Sequence, residues 1–113
     1  MKSSEIIAEL LLRLGITPNY NGFFQTLMAV HLALQDPSQL TCVTKSLYPQ
    51  VACSYGTSWG TVERNIRTII SIAWDQNRPL LEQLAHRPLQ DKPSVSQFLA
   101  FLTAYCSAGA PSH

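Results

Sequence analysis

The 113-residue sequence predicts an all-α fold of about six helices with a helix-turn-helix near residues 49–76. Three observations carry this. Apolar residues recur at helical spacing in segment after segment. No stretch alternates apolar and polar residues as a half-buried strand would. The breaks fall on Gly, Pro, Asn and Asp, followed by Ser or Thr in capping positions.

Ile6, Ile7, Leu10, Leu11 and Leu14 share one face of a first helix, with Ser3 as its N-cap and Glu5 and Glu9 near its positive end. Gly15 stops it, and Thr17-Pro18-Asn19 is a turn. A second helix over 21–35 is apolar on more than one face (Phe23, Phe24, Leu27, Met28, Val30, Leu32, Leu34), which places it at the centre of the core. Asp36-Pro37-Ser38 ends it and caps a third helix over 38–47, with Leu40, Val43 and Leu47 inward.

Tyr48-Pro49 interrupts that helix, and Pro49 opens a short one over 49–55 with Val51 and Ala52 inward, since a first-turn Pro lacks only an N–H that has no helical partner. Gly56 closes it. Thr57 or Ser58 caps a long helix to about residue 75, whose inward face is Val62, Ile66, Ile69, Ile70, Ala73 and Trp74. Asn77-Arg78-Pro79 breaks the chain, Leu80, Leu81 and Leu84 form a short helix, and 86–93 is an irregular connection. Ser94 or Ser96 caps a last helix with Val95, Phe98, Leu99, Leu102 and Tyr105; 109–113 is a frayed tail.

Composition narrows the function class. Hydrophobic residues make up 46% and charged residues 13%, enough for a packed core and too few charges for a disordered chain, so residues 1–113 read as one domain. No apolar run approaches the roughly 18 residues that span a bilayer, and the start lacks a continuous apolar stretch with a cleavage site. The default location is the cytoplasm, with no membrane partner. Cys42, Cys53 and Cys106 are odd in number with no C-x-x-C pair, so buried free thiols are expected and no metal site. His31 sits on a very apolar helix and reads as a core or boundary residue; His86 lies in a Pro-bounded loop and His113 is terminal. No Ser/His/Asp set, carboxylate pair or Gly-rich phosphate loop stands out, so the expectation is a non-enzyme without cofactor or small-molecule substrate.

A short helix, a tight turn at Gly56 and a longer helix form the helix-turn-helix pattern, whose second helix enters the DNA major groove with its N-terminal residues at base edges. With Val62, Ile66 and Ile69 inward, Thr61, Arg64, Asn65 and Thr68 are expected outward, while Glu63 and Arg67, four apart, share a flank. Arg matches guanine O6 and N7, Asn pairs with adenine, and Glu accepts from cytosine N4. Thr61, Lys45 and the helix's first amides suit phosphates. The net charge is only +1, milder than a strong DNA footprint. It is uneven: over residues 45–78, Lys45, Arg64, Arg67 and Arg78 against Glu63 and Asp75 give +2, leaving the remainder at −1. Trp59 opens the long helix and is expected to be exposed while packing on its cap.

The phrases Thr44-Lys45-Ser46-Leu47-Tyr48-Pro49, Thr61-Val62-Glu63-Arg64-Asn65-Ile66-Arg67 and Ala73-Trp74-Asp75-Gln76-Asn77 occur in order. Gly15-Ile16-Thr17-Pro18 and Gly22 precede them, and Lys92-Pro93-Ser94 with Phe98 comes after. Together, over about residues 5–105, they resemble the C-terminal effector domain of the sporulation initiation response regulator, the stage-zero sporulation protein A family. The resemblance implies an all-α fold and sequence-specific binding of double-stranded DNA by a transcription regulator. It assigns base and phosphate contacts to Glu63, Arg64 and Arg67 and a backbone contact to Lys45. This chain departs from the family pattern in three places: Thr61 stands where a basic residue precedes the Val-Glu-Arg triplet, Cys53 and Ser54 stand in a typically lysine-rich helix, and Gly60 falls in the first turn of the recognition helix, costing about 1 kcal/mol relative to Ala. Fewer cations mean fewer neutralised phosphates and weaker binding.

The family domain normally comes after a phosphorylated receiver domain, which this sequence does not contain, so a stand-alone relative is one expectation and a piece of a longer regulator the other. A homodimer on DNA fits the helix-turn-helix habit of binding two half-sites, with Leu80 to Leu84 as a candidate contact or as core. The competing function is a protein-interaction module that keeps the fold, does not bind DNA, and pairs with a full-length regulator.

Overall fold

A computed structural model describes residues 3–107, and its secondary structure is helical throughout, with no strand among the described residues. Helix α1 spans Ser3–Arg13 and α2 spans Asn21–Gln35. A 3-10 turn at Pro37–Thr41 and a π turn at Val43–Leu47 lead into α3, Tyr48–Tyr55. Helix α4 runs Trp59–Ala85 and α5 Val95–Ser107. Ser3 already lies within α1, so a cap for that helix, like the 109–113 tail, falls outside the described residues.

Helix α2 sits in the middle, touching α1, α3, α4 and α5. Its apolar composition accounts for that place, because a helix with apolar residues on several faces is stable only when surrounded. Of the residues predicted inward, Ile7, Leu10 and Leu11 of α1 with Leu14 just after it, Val62, Ile66, Ile69, Ile70 and Ala73 of α4, and Val95, Phe98, Leu99 and Leu102 of α5 are buried in one core, whereas Ile6 and Tyr105 are half-buried against it. Trp74 is half-buried and packs on its edge. On α2, Phe23 and Val30 are buried, Leu27, Met28, Leu32 and Leu34 are half-buried, and Phe24 is 46% exposed. The hydroxyl of Thr26, on the same helix, is buried without a hydrogen-bond partner among the described residues.

Two positions fix how closely helices approach. At Gly15 the backbone turns left-handed (φ +96°), and the amides of Gly15 and Ile16 return to Leu12 O and Leu11 O, closing α1. At Gly22 a Cβ would stand 2.5 Å from Asn65 O and 2.6 Å from Ile69 Cγ1, so α2 reaches the backbone of α4 only because no side chain intervenes.

The structure corrects the sequence reading at several points. The helix expected over 38–47 is two tight turns. Asp36 Oδ1 accepts the Ser38 N–H at 3.1 Å and its hydroxyl as well, which favours a 3-10 turn after Pro37. Cys42 (φ −133°, ψ 44°) then breaks the path before the π turn, leaving Leu40 and Val43 only half-buried while Leu47 is buried. Cys42 and Cys53 are exposed rather than buried; only Cys106 is in the core. His31 is exposed on α2's outer side, not in the core or at its boundary.

The expected break after residue 75 takes the form of a bend. Asn77 leaves helical geometry (φ −154°, ψ 61°) two residues before Pro79. Its Nδ2 donates to Arg13 O at 2.8 Å, and its Oδ1 accepts the Leu80 N–H at 3.3 Å, so one side chain ties the bend to α1 and recaps the downstream turn of helix. Beyond it, Leu80, Leu81 and Leu84 are buried in the core, which withdraws that segment as a surface for a second copy.

The connection to α5 is held from α4. Arg78 lies 4.2 Å over the Trp74 ring, pairs with Glu82 at 3.4 Å and donates to Leu89 O, while Glu82 accepts the Leu89 N–H at 2.8 Å. Ser94 and Gln97 exchange backbone and side-chain bonds as a capping box for α5. Among the described residues, no helix is long and apolar enough to cross a membrane.

Candidate nucleic-acid interface

The interface is built on the turn between α3 and α4. Gly56 adopts the left-handed conformation (φ 62°), and the Gly56 and Thr57 amides bond back to Cys53 O (3.3 Å) and Ala52 O (3.0 Å). This pair of bonds satisfies the carbonyls at the end of α3 and turns the chain within three residues. Ser58 then caps α4. Its Oγ accepts the Thr61 N–H at 3.2 Å and lies 2.9 Å from Thr61 Oγ1. Thr61 is therefore half-buried and engaged with the cap.

Burial sets the orientation of α4. Val62, Ile66 and Ile69 are each 0% exposed, which aims Arg64, Arg67 and Thr68 at solvent. Arg64 makes no ion pair among the described residues, and its charge faces outward alone. Arg67 Nη2 pairs with Glu63 Oε2 at 3.3 Å. Thr68 Oγ1 donates to Arg64 O at 3.1 Å, leaving its oxygen lone pairs on the same face. Lys45 is exposed on the π turn that feeds α3.

Asn65 is half-buried at the edge of this face. Its Nδ2 donates to Gln25 Oε1 at 3.0 Å, across to α2, and Gln25 is buried. With Thr61 it lines a groove of about 360 Å³ rimmed by Tyr20, Phe24 and Tyr55.

Sequence reasoning did not foresee the support beneath the site. Trp59, 48% exposed, stacks parallel on the buried Tyr48 ring at 6.2 Å. Burial, reinforced by the Glu63 carboxylate and opposed by the Arg67 guanidinium, pushes the Tyr48 hydroxyl up to about 12. The first residue of α3 thus lies in the field of the Glu63–Arg67 pair and under the first residue of α4. The sequence signal for this support is the Tyr-Pro at 48–49, which by itself says no more than that a helix starts there.

Further along α4, Ser71 Oγ accepts a hydrogen bond from Lys92 Nζ at 3.3 Å. Lys92 belongs to the segment before α5, 21 residues away, and no periodicity links it to α4. The family described as "Sporulation initiation factor Spo0A C terminal" matches residues 7–106, nearly the whole chain.

Proposed function

The chain belongs to the Spo0A C-terminal family of DNA-binding regulatory domains, and on that premise we propose that the first half of α4 is the recognition helix, reading double-stranded DNA from the major groove. The observation that carries this is orientation. Directly after a capped three-residue turn, α4 buries Val62, Ile66 and Ile69 completely and presents Arg64, Arg67 and Thr68 together.

In this reading Arg64 makes the bidentate contact to a guanine. Arg67 reaches a base edge or phosphate while Glu63 holds its guanidinium or accepts from a cytosine amine. Thr68, Lys45 and the amides behind Thr61 meet phosphates. One N–H of the Asn65 amide goes to Gln25, so we assign Asn65 to setting the height of α4 on α2 rather than to reading a base. The Tyr48–Trp59 stack fixes the angle between the two helices of the motif. Binding two half-sites as a pair of copies is compatible with this, through a surface other than the buried Leu80 to Leu84.

Fluorescence anisotropy with a duplex carrying the sporulation regulator's recognition site, against a scrambled duplex, tests the reading. Wild type should prefer the matched duplex, with salt-sensitive affinity, and Arg64→Ala should lose the preference. Equal or absent binding to both would overturn it. A second reading, the protein-interaction module, draws on the uncharged groove rimmed by Tyr20, Phe24 and Tyr55, whose rings stand partly exposed. Absent DNA binding would favour that reading.

A further inference from the structure

A second concavity lies beyond the recognition segment, between α4 and the start of α5. It holds about 340 Å³ and is lined by Arg67, Ile70, Ser71, Lys92, Pro93 and Ser94 among others. Two cations reach it from elements far apart in sequence, with the Ser71 hydroxyl between them bound to Lys92 Nζ at 3.3 Å. No carboxylate lines it among the described residues, although Glu63 pairs with Arg67 at its margin and Asp91 precedes Lys92 in the chain. Arg67 shares its charge with Glu63, whereas Lys92 makes no ion pair among the described residues, so Lys92 is the cation here left to meet an anion. The α5 N-terminus beside it adds partial positive charge, although its capping box already engages the Gln97 amide.

We propose that this concavity seats a phosphodiester of the DNA backbone, with Lys92 as its principal ligand, Arg67 and Ser71 as its other side-chain contacts, and no role in reading bases. The inference rests on the DNA-binding reading and extends it to a residue outside the helix-turn-helix. Its geometry derives from the helix. Arg64, Arg67 and Ser71 are spaced i, i+3 and i+7, one stripe of α4. Ser71 lies about 10 Å along the axis from Arg64 at 1.5 Å per residue. The major groove is about 12 Å wide. With Arg64 at base edges, the Ser71–Lys92 end of the stripe therefore meets the groove wall, where the phosphates are. A lysine suits that task, since a point charge on a flexible stem holds a phosphate without demanding the planar match that base readout requires.

The test is anisotropy titration of matched and scrambled duplexes across a series of salt concentrations, with Lys92→Gln, Lys92→Arg and, as a control, Arg13→Gln. Arg13 bonds Tyr105 near the far end of α5 and does not line the groove, so its loss reports general charge. Lys92→Gln should weaken both duplexes equally, about fivefold at 0.15 M salt, and reduce the slope of log K against log salt by about 0.9. The preference for the matched duplex should persist, Lys92→Arg should restore most of the loss, and Arg13→Gln should show a clearly smaller effect. If Lys92→Gln leaves affinity and slope unchanged while Arg64→Ala abolishes preference, the groove is not a phosphate seat and the DNA reading stands. If Lys92→Gln and Arg13→Gln lose equally, the effect is diffuse charge and the seat is likewise overturned. If wild type binds neither duplex, the DNA reading falls and takes the seat with it.

Discussion

Asn65 Nδ2 and Gln25 Oε1 meet at 3.0 Å across 40 residues of sequence, joining the recognition segment to the central helix through a part-buried hydrogen bond. The bond lies one turn from the place where Gly22 lets the two backbones close together. Replacing Asn65 by Ala leaves Gln25, 4% exposed, without its partner and is expected to cost about 1–3 kcal/mol in chemical denaturation. Matched-to-scrambled DNA discrimination per folded molecule should stay within about twofold if the bond to Gln25 is the residue's main role. A tenfold loss of discrimination at unchanged stability would return Asn65 to the DNA-reading set.

Gly22→Ala is expected to be a damaging single-methyl insertion. The added carbon meets the carbonyl of Asn65 and the Ile69 side chain at distances that force α2 and α4 apart. Overpacking of this kind costs about 1–3 kcal/mol, or about 4–12 °C in melting temperature for a domain of this size. An unchanged melting curve would show that the helices yield more readily than their packing indicates.

Thr26→Val should act in the opposite direction. The hydroxyl is buried and unpartnered among the described residues, and valine has nearly the same shape. Removing the polar group should raise stability by about 1 kcal/mol. A loss of stability in urea unfolding would reveal a hydrogen bond that this hydroxyl makes.

The Tyr48 hydroxyl, raised to about 12, gives the fold an alkaline limit. Unfolded tyrosine ionises near pH 10, so between pH 10 and about 12 the unfolded chain binds fewer protons than the native one, and stability falls as pH rises. Below pH 10 the group is neutral in both states and contributes no slope. Tyr48→Phe should flatten this part of the stability–pH curve while weakening the stack under Trp59 only slightly. An identical alkaline slope in the variant would assign the effect elsewhere.

Much of this architecture is legible from sequence because it is local. Val62, Ile66, Ile69 and Ala73 are spaced so that one face must be buried, Gly56 supplies the left-handed turn, and Asn77 with Pro79 marks the break. The segment 38–47 misleads because its leucines and valine carry a helical period while Asp36 and Cys42 impose tighter and wider turns. Periodicity alone places Arg64 and Thr68 outward. It cannot place Asn65, whose partner Gln25 lies on another helix, nor Lys92, which reaches Ser71 only after the 86–93 connection has folded back. Burial of Leu80 to Leu84 is equally open in the sequence, since an exposed apolar patch and a core segment have the same composition.

Glu63→Gln isolates the carboxylate on the DNA-facing side. The pair with Arg67 is solvent-exposed on the arginine side, so stability should change by less than about 0.5 kcal/mol. Loss of a negative charge should raise affinity for scrambled DNA severalfold, while discrimination falls if Glu63 reads a cytosine and stays constant if it serves only to hold Arg67. Weaker binding to scrambled DNA would contradict a DNA-facing position for this carboxylate.

The bend at Asn77 also sets a limit on size. A straight helix of the 27 residues from Trp59 to Ala85 would be about 40 Å long, whereas the described part of the molecule measures 35 Å in its longest dimension. An unbroken helix would overshoot the body and carry Leu80, Leu81 and Leu84 into water. Bending lets a single run of chain serve first as an outward-facing rod and then as a return into the interior. The two jobs therefore share a phase: one residue inserted between Arg67 and Asn77 would turn the downstream leucines by about 100° relative to the arginines, so the length of this stretch is as tightly constrained as its composition.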